Sequence, residues 1–238
     1  MPIHRVLVIG ATRGTGKEIV SCLQRDQYAV RALARDADRA RAVLGPDVEI
    51  SAGDVTQRET LPAAFSNVSA VIFTAGVTKR PASERSIIAV EYEGVRNTLW
   101  AASAAGFRGR FLYMTAIGVT RVSVASIALN LIKGNTLRWR ARAETEIRRS
   151  GIDYTIVRCG VLTSANSSRA VELSQRNERM SLSRRISRRD AAEIFVQALR
   201  YPNTARATFD AYWSRGRAAE PWDLLFARLR PDASESGA

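Results

Sequence analysis

Three glycines near the start of the chain are the first residues whose spacing implies chemistry. In VLVIGATRGTGKEIV (residues 6–20) four apolar residues run into Gly10, Gly14 and Gly16, and the glycines run into a helical pattern. A glycine at a strand end permits a tight turn, a second lets backbone approach a diphosphate, and a third lets the next helix pack close to the strand. The helix start then offers unpaired N–H groups and the positive end of its dipole to an anion. Gly10, Thr12, Arg13, Gly14, Thr15 and Gly16 are therefore expected to cradle the diphosphate of a dinucleotide. The end of the second strand bears on which one. An Asp or Glu there holds a ribose 2′-hydroxyl. Here the stretch reads ALARD, with Arg35 at that place and Asp36 beside it. Arg13, inside the turn, can reach the same place, and two guanidiniums hold a 2′-phosphate through charge-assisted, often bidentate bonds. The expected cofactor is NADP(H) in preference to NAD(H).

Such a cradle needs a frame. RVLVIG, YAVRALARD, VEISAGD, VSAVIFTAG, RGRFLYMTA and DYTIVRCGVL read as strands. GKEIVSCLQRD, DADRARAVL, RETLPAAF, a long IIAVEYEGVRNTLWAASAAG and TLRWRARAETEIRRSG read as the helices between them. Continuous apolar strands alternating with amphipathic helices predict an α/β fold, a doubly wound parallel sheet covered on both faces. From residue 164 the rhythm breaks. SRRDAAEIFVQALR then predicts a helix, ARATFDAYW a late strand, EPWDLLFARLR a last helix, and residues 233–238 a frayed tail.

Composition narrows the class. The 238 residues carry a formal charge of +13, and of 36 basic residues only Lys17, Lys79 and Lys133 are lysine. The arginines are scattered, apart from Arg176, Arg179, Arg184, Arg185, Arg188 and Arg189, and read as solvated surface. No strand face interleaves aromatic with basic residues, which argues against a nucleic-acid partner. No run of about 18 apolar residues predicts a membrane span. The opening MPIHRVLVIG goes straight into a strand, unlike a signal peptide. Cys22 and Cys159 sit in unrelated contexts and support neither a disulfide framework nor a metal site. The cytoplasm is the expected location.

The pieces GATRGTG, ALARD, AGDVTQRETL, VIFTAG, VEYEGVRNTLWAASAAG, SGIDYTIVRCGVLT and SRRDAAEIFVQAL resemble the atypical short-chain dehydrogenase/reductases. More closely they resemble the small NmrA-like NAD(P)-binding members, which include flavin- and biliverdin-reductase-type proteins. The resemblance runs from about residue 4 to residue 213. It implies a single Rossmann domain over residues 1–238, with a small substrate-side portion from 164–189 and 201–232. It also implies roles. Asp54 and Val55 flank the adenine. Thr74, Ala75 and Gly76 line the ribose and pyrophosphate. Thr115 and Ala116 approach the nicotinamide ribose, and Cys159, Gly160, Val161 and Leu162 cover the nicotinamide, with Cys159 where the family commonly has Pro.

The departure from the wider superfamily matters more. Most of its members carry a Tyr-x-x-x-Lys pair on the helix before the sixth strand. Aligning Ala143-Glu144 with the usual Ala-Glu puts Thr136 at the Tyr position and Arg140 at the Lys position. Threonine cannot serve as a comparable acid, because its hydroxyl titrates far from neutrality. Thr115 and Arg140 remain as the candidate catalytic groups, Arg140 also as a ribose or phosphate ligand. His4, Tyr113 and Tyr154 read as structural, and Lys133 as a surface lysine. Trp139 faces either core or pocket; Trp213 and Trp222 read as packing.

Residues 118–136, GVTRVSVASIALNLIKGNT, are apolar and nearly uncharged. They read equally as a lid or pocket wall for an apolar substrate and as an interface with another subunit or a buried loop. The whole predicts an NADPH-dependent oxidoreductase that passes hydride to a hydrophobic small molecule without the Tyr/Lys pair. A non-catalytic NADP sensor of NmrA-like type, and an isomerase or dehydratase on the same fold, stay open.

Overall fold

The structure, a computed structural model, describes residues 5–78, 82–132, 134–165, 169–214, 216 and 218–233. His4, Lys133 and residues 234–238 of the expected tail lie outside the described residues. The strands are β1 (Arg5–Ile9), β2 (Ala29–Ala34), β3 (Glu49–Ala52), β4 (Ala70–Phe73), β5 (Arg110–Ala116), β6 (Asp153–Cys159), β7 (Val161–Thr163), β8 (Val171–Ser174), β9 (Arg185–Ser187) and β10 (Ala207–Trp213). The helices are α1 (Gly14–Arg25), α2 (Ala37–Leu44), α3 (Glu84–Ile87), α4 (Gly94–Ala104), α5 (Val124–Ile132), α6 (Thr136–Arg149), α7 (Arg188–Ala198) and α8 (Trp222–Ala227).

Eight strands form one sheet in the order β3-β2-β1-β4-β5-β6-β10-β8, and β7 pairs with β9 beside it. Among the described residues, only β10 and β8 are antiparallel to each other. This is the doubly wound Rossmann arrangement. The chain runs outward from β1 to β3 and returns to β4 on the other side of β1, which opens a crevice at the carboxyl ends of β1 and β4.

Alternation along β1 explains the two cores. Val6 and Val8 lie in the cluster that α1 and α7 complete with Ile19, Leu23, Ile194 and Phe195. Leu7 and Ile9 lie in the opposite cluster with Val95 and Leu99 of α4 and Ala143 and Ile147 of α6. Each fully buried Leu, Ile or Phe contributes roughly 1.5–3 kcal/mol, so both strand faces are held hard in register.

Three features depart from the expected elements. The long helix after β4 is broken: α3 passes into a π-helical stretch, Ile88–Glu93, before α4 begins. RETLPAAF forms two 3-10 turns, Arg58–Thr60 and Pro62–Phe65, because Pro62 lacks the N–H that a continuous helix would need. The portion from 164–189 and 201–232 contributes β8 and β10 to the main sheet, with β10 parallel to β6. Tyr113 and Tyr154 are buried. Trp213 donates to Asp190 at 2.6 Å, and Trp222 stacks on Phe226.

Candidate functional site

The glycine turn joins β1 to α1 and is built by steric exclusion. Gly10 has φ +89°, and a Cβ there would stand 2.7 Å from the Ala75 backbone nitrogen. A Cβ on Gly16 would overlap the Gly10 carbonyl oxygen and stand 2.7 Å from Thr74 Oγ1. Thr74 locks the contact from the other side, its N–H and its hydroxyl both donating to the Ile9 carbonyl. The end of β4 thus presses against the turn, and only glycine permits it.

The turn is poised for an anion. Arg13 occupies the N-cap of α1 without a side-chain cap bond, and no acidic residue sits in the first turn. The first N–H groups are therefore left to a ligand. The Thr15 hydroxyl is buried and has no partner. Arg188, at the start of α7, reaches over the turn: a Cβ on Gly14 would stand 3.6 Å from its Nε. The acceptor that the described residues offer Arg188 is the Ser164 hydroxyl, at 2.9 Å. A cation at the positive ends of two helices, with no carboxylate partner among the described residues, is stabilised by a phosphate between them. These residues fit a diphosphate.

Along the crevice, Arg35 follows β2 and is 71% exposed, 4.0 Å from Asp54. Asp36 has a separate task. It caps α2, accepting from the Arg39 N–H at 2.9 Å. One oxygen of its carboxylate is thereby used by the helix. Arg13 donates to the Thr78 hydroxyl at 2.9 Å. Asp54 accepts from the N–H and hydroxyl of Thr56. Val55 is buried against the start of α4, where Gly94 leaves it room, and its carbonyl accepts from Asn97. Thr12 and Ala75 are half-buried at the rim.

At the end of β4 the site becomes charged. Glu91, in the π-helical stretch, is buried and binds three groups. It accepts from Arg140 Nε at 2.7 Å, from the Thr136 hydroxyl at 2.6 Å and from the Val77 N–H at 2.9 Å. Burial opposes its ionisation, but the Arg140 guanidinium and these hydrogen bonds outweigh it and hold the carboxyl below its usual range. Burial works against the charge on Arg140 too, and Glu91 more than restores it. The guanidinium lies beside Gly76, whose Cβ would stand 3.0 Å from Arg140 Nη2. At the end of β5 the Thr115 hydroxyl is buried with no partner among the described residues. Ala116 is half-buried one residue on.

The far flank is packed by backbone and core. The Cys159 thiol is buried among the residues under α1 and α7 and pushed up to about 12 by that burial, so it is neutral. The Cys159 carbonyl accepts from Ile117. The side chain expected to cover the nicotinamide therefore sits in the core. A Cβ on Gly160 would overlap the Arg184 carbonyl, so this glycine serves the close approach of β9. Val161 and Leu162 are half-buried in β7 and pair with Arg185 and Ile186 of β9.

The remaining expectations divide. Trp139 faces neither core nor pocket; it donates to Glu84 and packs on Tyr92. Of the arginine cluster, Arg184 pairs with Glu178 at 2.5 Å, and Arg188 reaches over Gly14 of the glycine turn. Most apolar residues of 118–136 lie in α5, whose outer side chains are exposed. Glu91 and Arg188 escape sequence reasoning. VEYEG was visible as a helical stretch, but nothing in its spacing marks Glu91 as the buried partner of a residue 49 positions away.

A family model described as NAD(P)H-binding matches residues 10–202. An NAD(P)H azoreductase from Xenophilus azovorans is 29% identical over 202 residues, covering 83% of this chain and 64% of that protein, so the chain spans just under two thirds of this relative's length. Among solved structures, a putative NAD-dependent epimerase/dehydratase from Bacillus halodurans superposes with a TM-score of 0.80 at 23% identity, covering 95% of this chain and all of that one. An anaerobillin reductase from Escherichia coli O157:H7 superposes with a TM-score of 0.75 at 22% identity, covering 90% of this chain and all of that one. Matched through most of its length, this chain belongs to the NAD(P)H-binding family and has the Rossmann fold.

Proposed function

We propose that the protein is an NADPH-dependent reductase of a hydrophobic small-molecule acceptor, working without the Tyr/Lys pair. The observation that carries this reading is the buried Glu91–Arg140 ion pair at the end of β4. It keeps one guanidinium charged and fixed beside Gly76 at the end of β4, and on the neighbouring strand β5 the Thr115 hydroxyl is buried with no partner among the described residues. Reduced nicotinamide supplies the hydride when bound. The protein's part is to bind, orient and stabilise charge. Gly10, Thr12, Gly14, Thr15 and Gly16 hold the diphosphate, closed over by Arg188. Arg35 meets the 2′-phosphate, aided by Arg13 once it leaves Thr78. Asp54 and Val55 flank the adenine, and Thr74, Ala75 and Gly76 the adjoining ribose. Arg140 and Thr115 serve the acceptor end: a preorganised cation and a hydroxyl donor stabilise negative charge that develops on an acceptor heteroatom. Thr136 is held by Glu91 and supplies no acid, so the proton comes from solvent. Azo compounds, quinones and flavins are suitable acceptors, and the azoreductase relative supports the first.

Fluorescence titration with NADPH and NADH, followed by addition of a flavin, a quinone and an azo dye while the reduced cofactor is followed by absorbance, tests the reading. Tighter binding of NADPH, and its oxidation on adding an acceptor, is expected. No affinity for either cofactor would overturn it. Tight binding with no turnover on any acceptor would favour the sensor reading, which the lack of an acid at Thr136 also suits.

A further inference from the structure

Helix α5 is amphipathic in the reverse of the usual sense. Val124, Ile127, Leu131 and Ile132 recur at the i, i+3, i+7, i+8 spacing of one helical stripe, and with Val122 they are between 51% and 85% exposed. The inner side is the less apolar one: Ser126 is buried and bonded to Ser123, and Asn130 accepts from the Leu137 N–H. A helix that turns its branched aliphatic residues outward is made to meet something apolar.

The base of α5 stands on the arginine-rich segment. Ser123 donates to the Met180 carbonyl at 3.1 Å, Thr120 bonds Asn177, and a Cβ on Gly118 would stand 2.7 Å from Met180 Cβ. Leu182, two residues past Met180, is 76% exposed and continues the apolar surface. Arg121 and Arg179 are exposed beside these contacts, Arg176 and Arg185 are exposed in the flanking stretch of chain, and none of the four has a carboxylate partner among the described residues. The neighbouring acids are spent: Glu178 is paired with Arg184, and Asp210 is buried.

We infer that α5 and the arginines at its base form a docking surface for an anionic lipid membrane. Charge decides among the occupants. A second copy would bring a second chain of +13 against the first, with the same arginines facing each other. A protein partner is anchored by Tyr, Trp or Arg in desolvated pockets, and the stripe contains only Val, Ile, Leu and Ala. An anionic bilayer meets both halves of the surface. Its acyl chains take the aliphatic residues, and its headgroups attract the arginines. The dinucleotide crevice takes no part in this surface, so the inference stands or falls independently of the reductase reading.

Flotation of the full-length protein with phosphatidylcholine vesicles, with and without roughly one-third phosphatidylglycerol, tests it. Binding to the anionic vesicles only, weakening as salt is raised, is expected. Ile127→Asp with Leu131→Asp changes two solvent-facing residues and is expected to keep the thermal transition and cofactor affinity while lowering vesicle partitioning about 100-fold or more. Arg176→Gln with Arg179→Gln and Arg185→Gln is expected to lower partitioning at least about tenfold and to flatten its salt dependence. Wild-type protein that stays in solution overturns the proposal. So does an aspartate variant that binds as well as wild type, which would leave electrostatics alone. A wild-type dimer in sedimentation equilibrium that the aspartate variant dissociates would assign the stripe to a second copy instead.

Discussion

Backbone builds the diphosphate end of the crevice, and buried charge builds the acceptor end. At the first, Gly10 and Gly16 touch the end of β4 so closely that no side chain fits, which leaves the N–H groups of the turn and of α1 to meet a ligand. At the second, Glu91, Thr136 and Arg140 come from two elements and converge through side-chain bonds of 2.6–2.7 Å. Each end has its own weakness. The first fails when an atom is added, the second when a charge is removed.

Removing the charge has the largest expected effect. Glu91→Ala leaves Arg140 buried and uncompensated, which costs about 3–5 kcal/mol. In a chain of this length that lowers the melting temperature by about 10 °C. Glu91→Gln keeps the shape and isolates the charge. The pH dependence gives a second handle. The folded carboxyl titrates below its unfolded value of 4.5, so the stabilisation is fully present above that value and is lost as pH falls through the folded pKa. Urea denaturation between neutral pH and acid should show wild-type stability falling where that of Glu91→Gln does not. Equal pH profiles would mean that Glu91 and Arg140 are not a working pair.

Adding an atom comes next. Gly16→Ala forces a methyl onto the Gly10 carbonyl, and no rotamer relieves a backbone clash, so a cost of about 3 kcal/mol is expected. Affinity for NADPH and NADH should be lost together. Gly45→Ala is the control: φ is also positive there, but a Cβ meets nothing. It should cost about 1–3 kcal/mol from backbone conformation alone, because φ 85° with ψ 174° is a region that glycine alone readily occupies, and leave both affinities intact. Equal losses of affinity at the two glycines would remove the steric account of the turn.

A second carboxylate sharpens the charge rule. Asp210 on β10 is buried with Oδ1 unpartnered, and burial pushes its pKa to about 6 from 3.8. Its contribution to stability is present below 3.8 and lost as pH rises through 6, the reverse of Glu91. Asp210→Asn keeps an acceptor for the Glu178 N–H and is expected to stabilise the protein by about 1–3 kcal/mol above pH 7, with little effect near pH 4. Thermal melts across that range decide it, and destabilisation at high pH would show the charge to be satisfied.

The same contrast explains what the sequence disclosed. The glycine turn was legible because steric exclusion leaves a residue type at fixed spacing, and the parallel sheet because fully buried strands leave continuous apolar runs. Glu91 was not legible. Its partners lie 45 and 49 residues away, and a π-helical stretch shifts it out of the 3.6 period by which a helix face is read. Asp36 was ambiguous until its carboxylate was seen capping α2. In α5 the period is plain, but a period names a face without saying what it faces. The parallel pairing of β10 with β6 was hidden for a related reason: a strand pattern says nothing of its neighbour.

The smallest predicted effect tests whether the two ends differ as cleanly as stated, because Arg188 brings a charge to the backbone end. If it closes over the diphosphate, Arg188→Gln removes a contact that NADPH and NADH share. Both affinities should fall by about tenfold, the value of one charge-assisted hydrogen bond at a solvated rim. Their ratio should not change. Arg35→Ala removes a contact with the 2′-phosphate alone, so NADPH affinity should fall by a similar factor while that of NADH holds. Fluorescence titration of both variants with both cofactors gives four numbers and two ratios. A loss confined to NADPH in Arg188→Gln would move this arginine to the 2′-phosphate. No loss with either cofactor would return the diphosphate to the backbone, and the division between the ends would be complete.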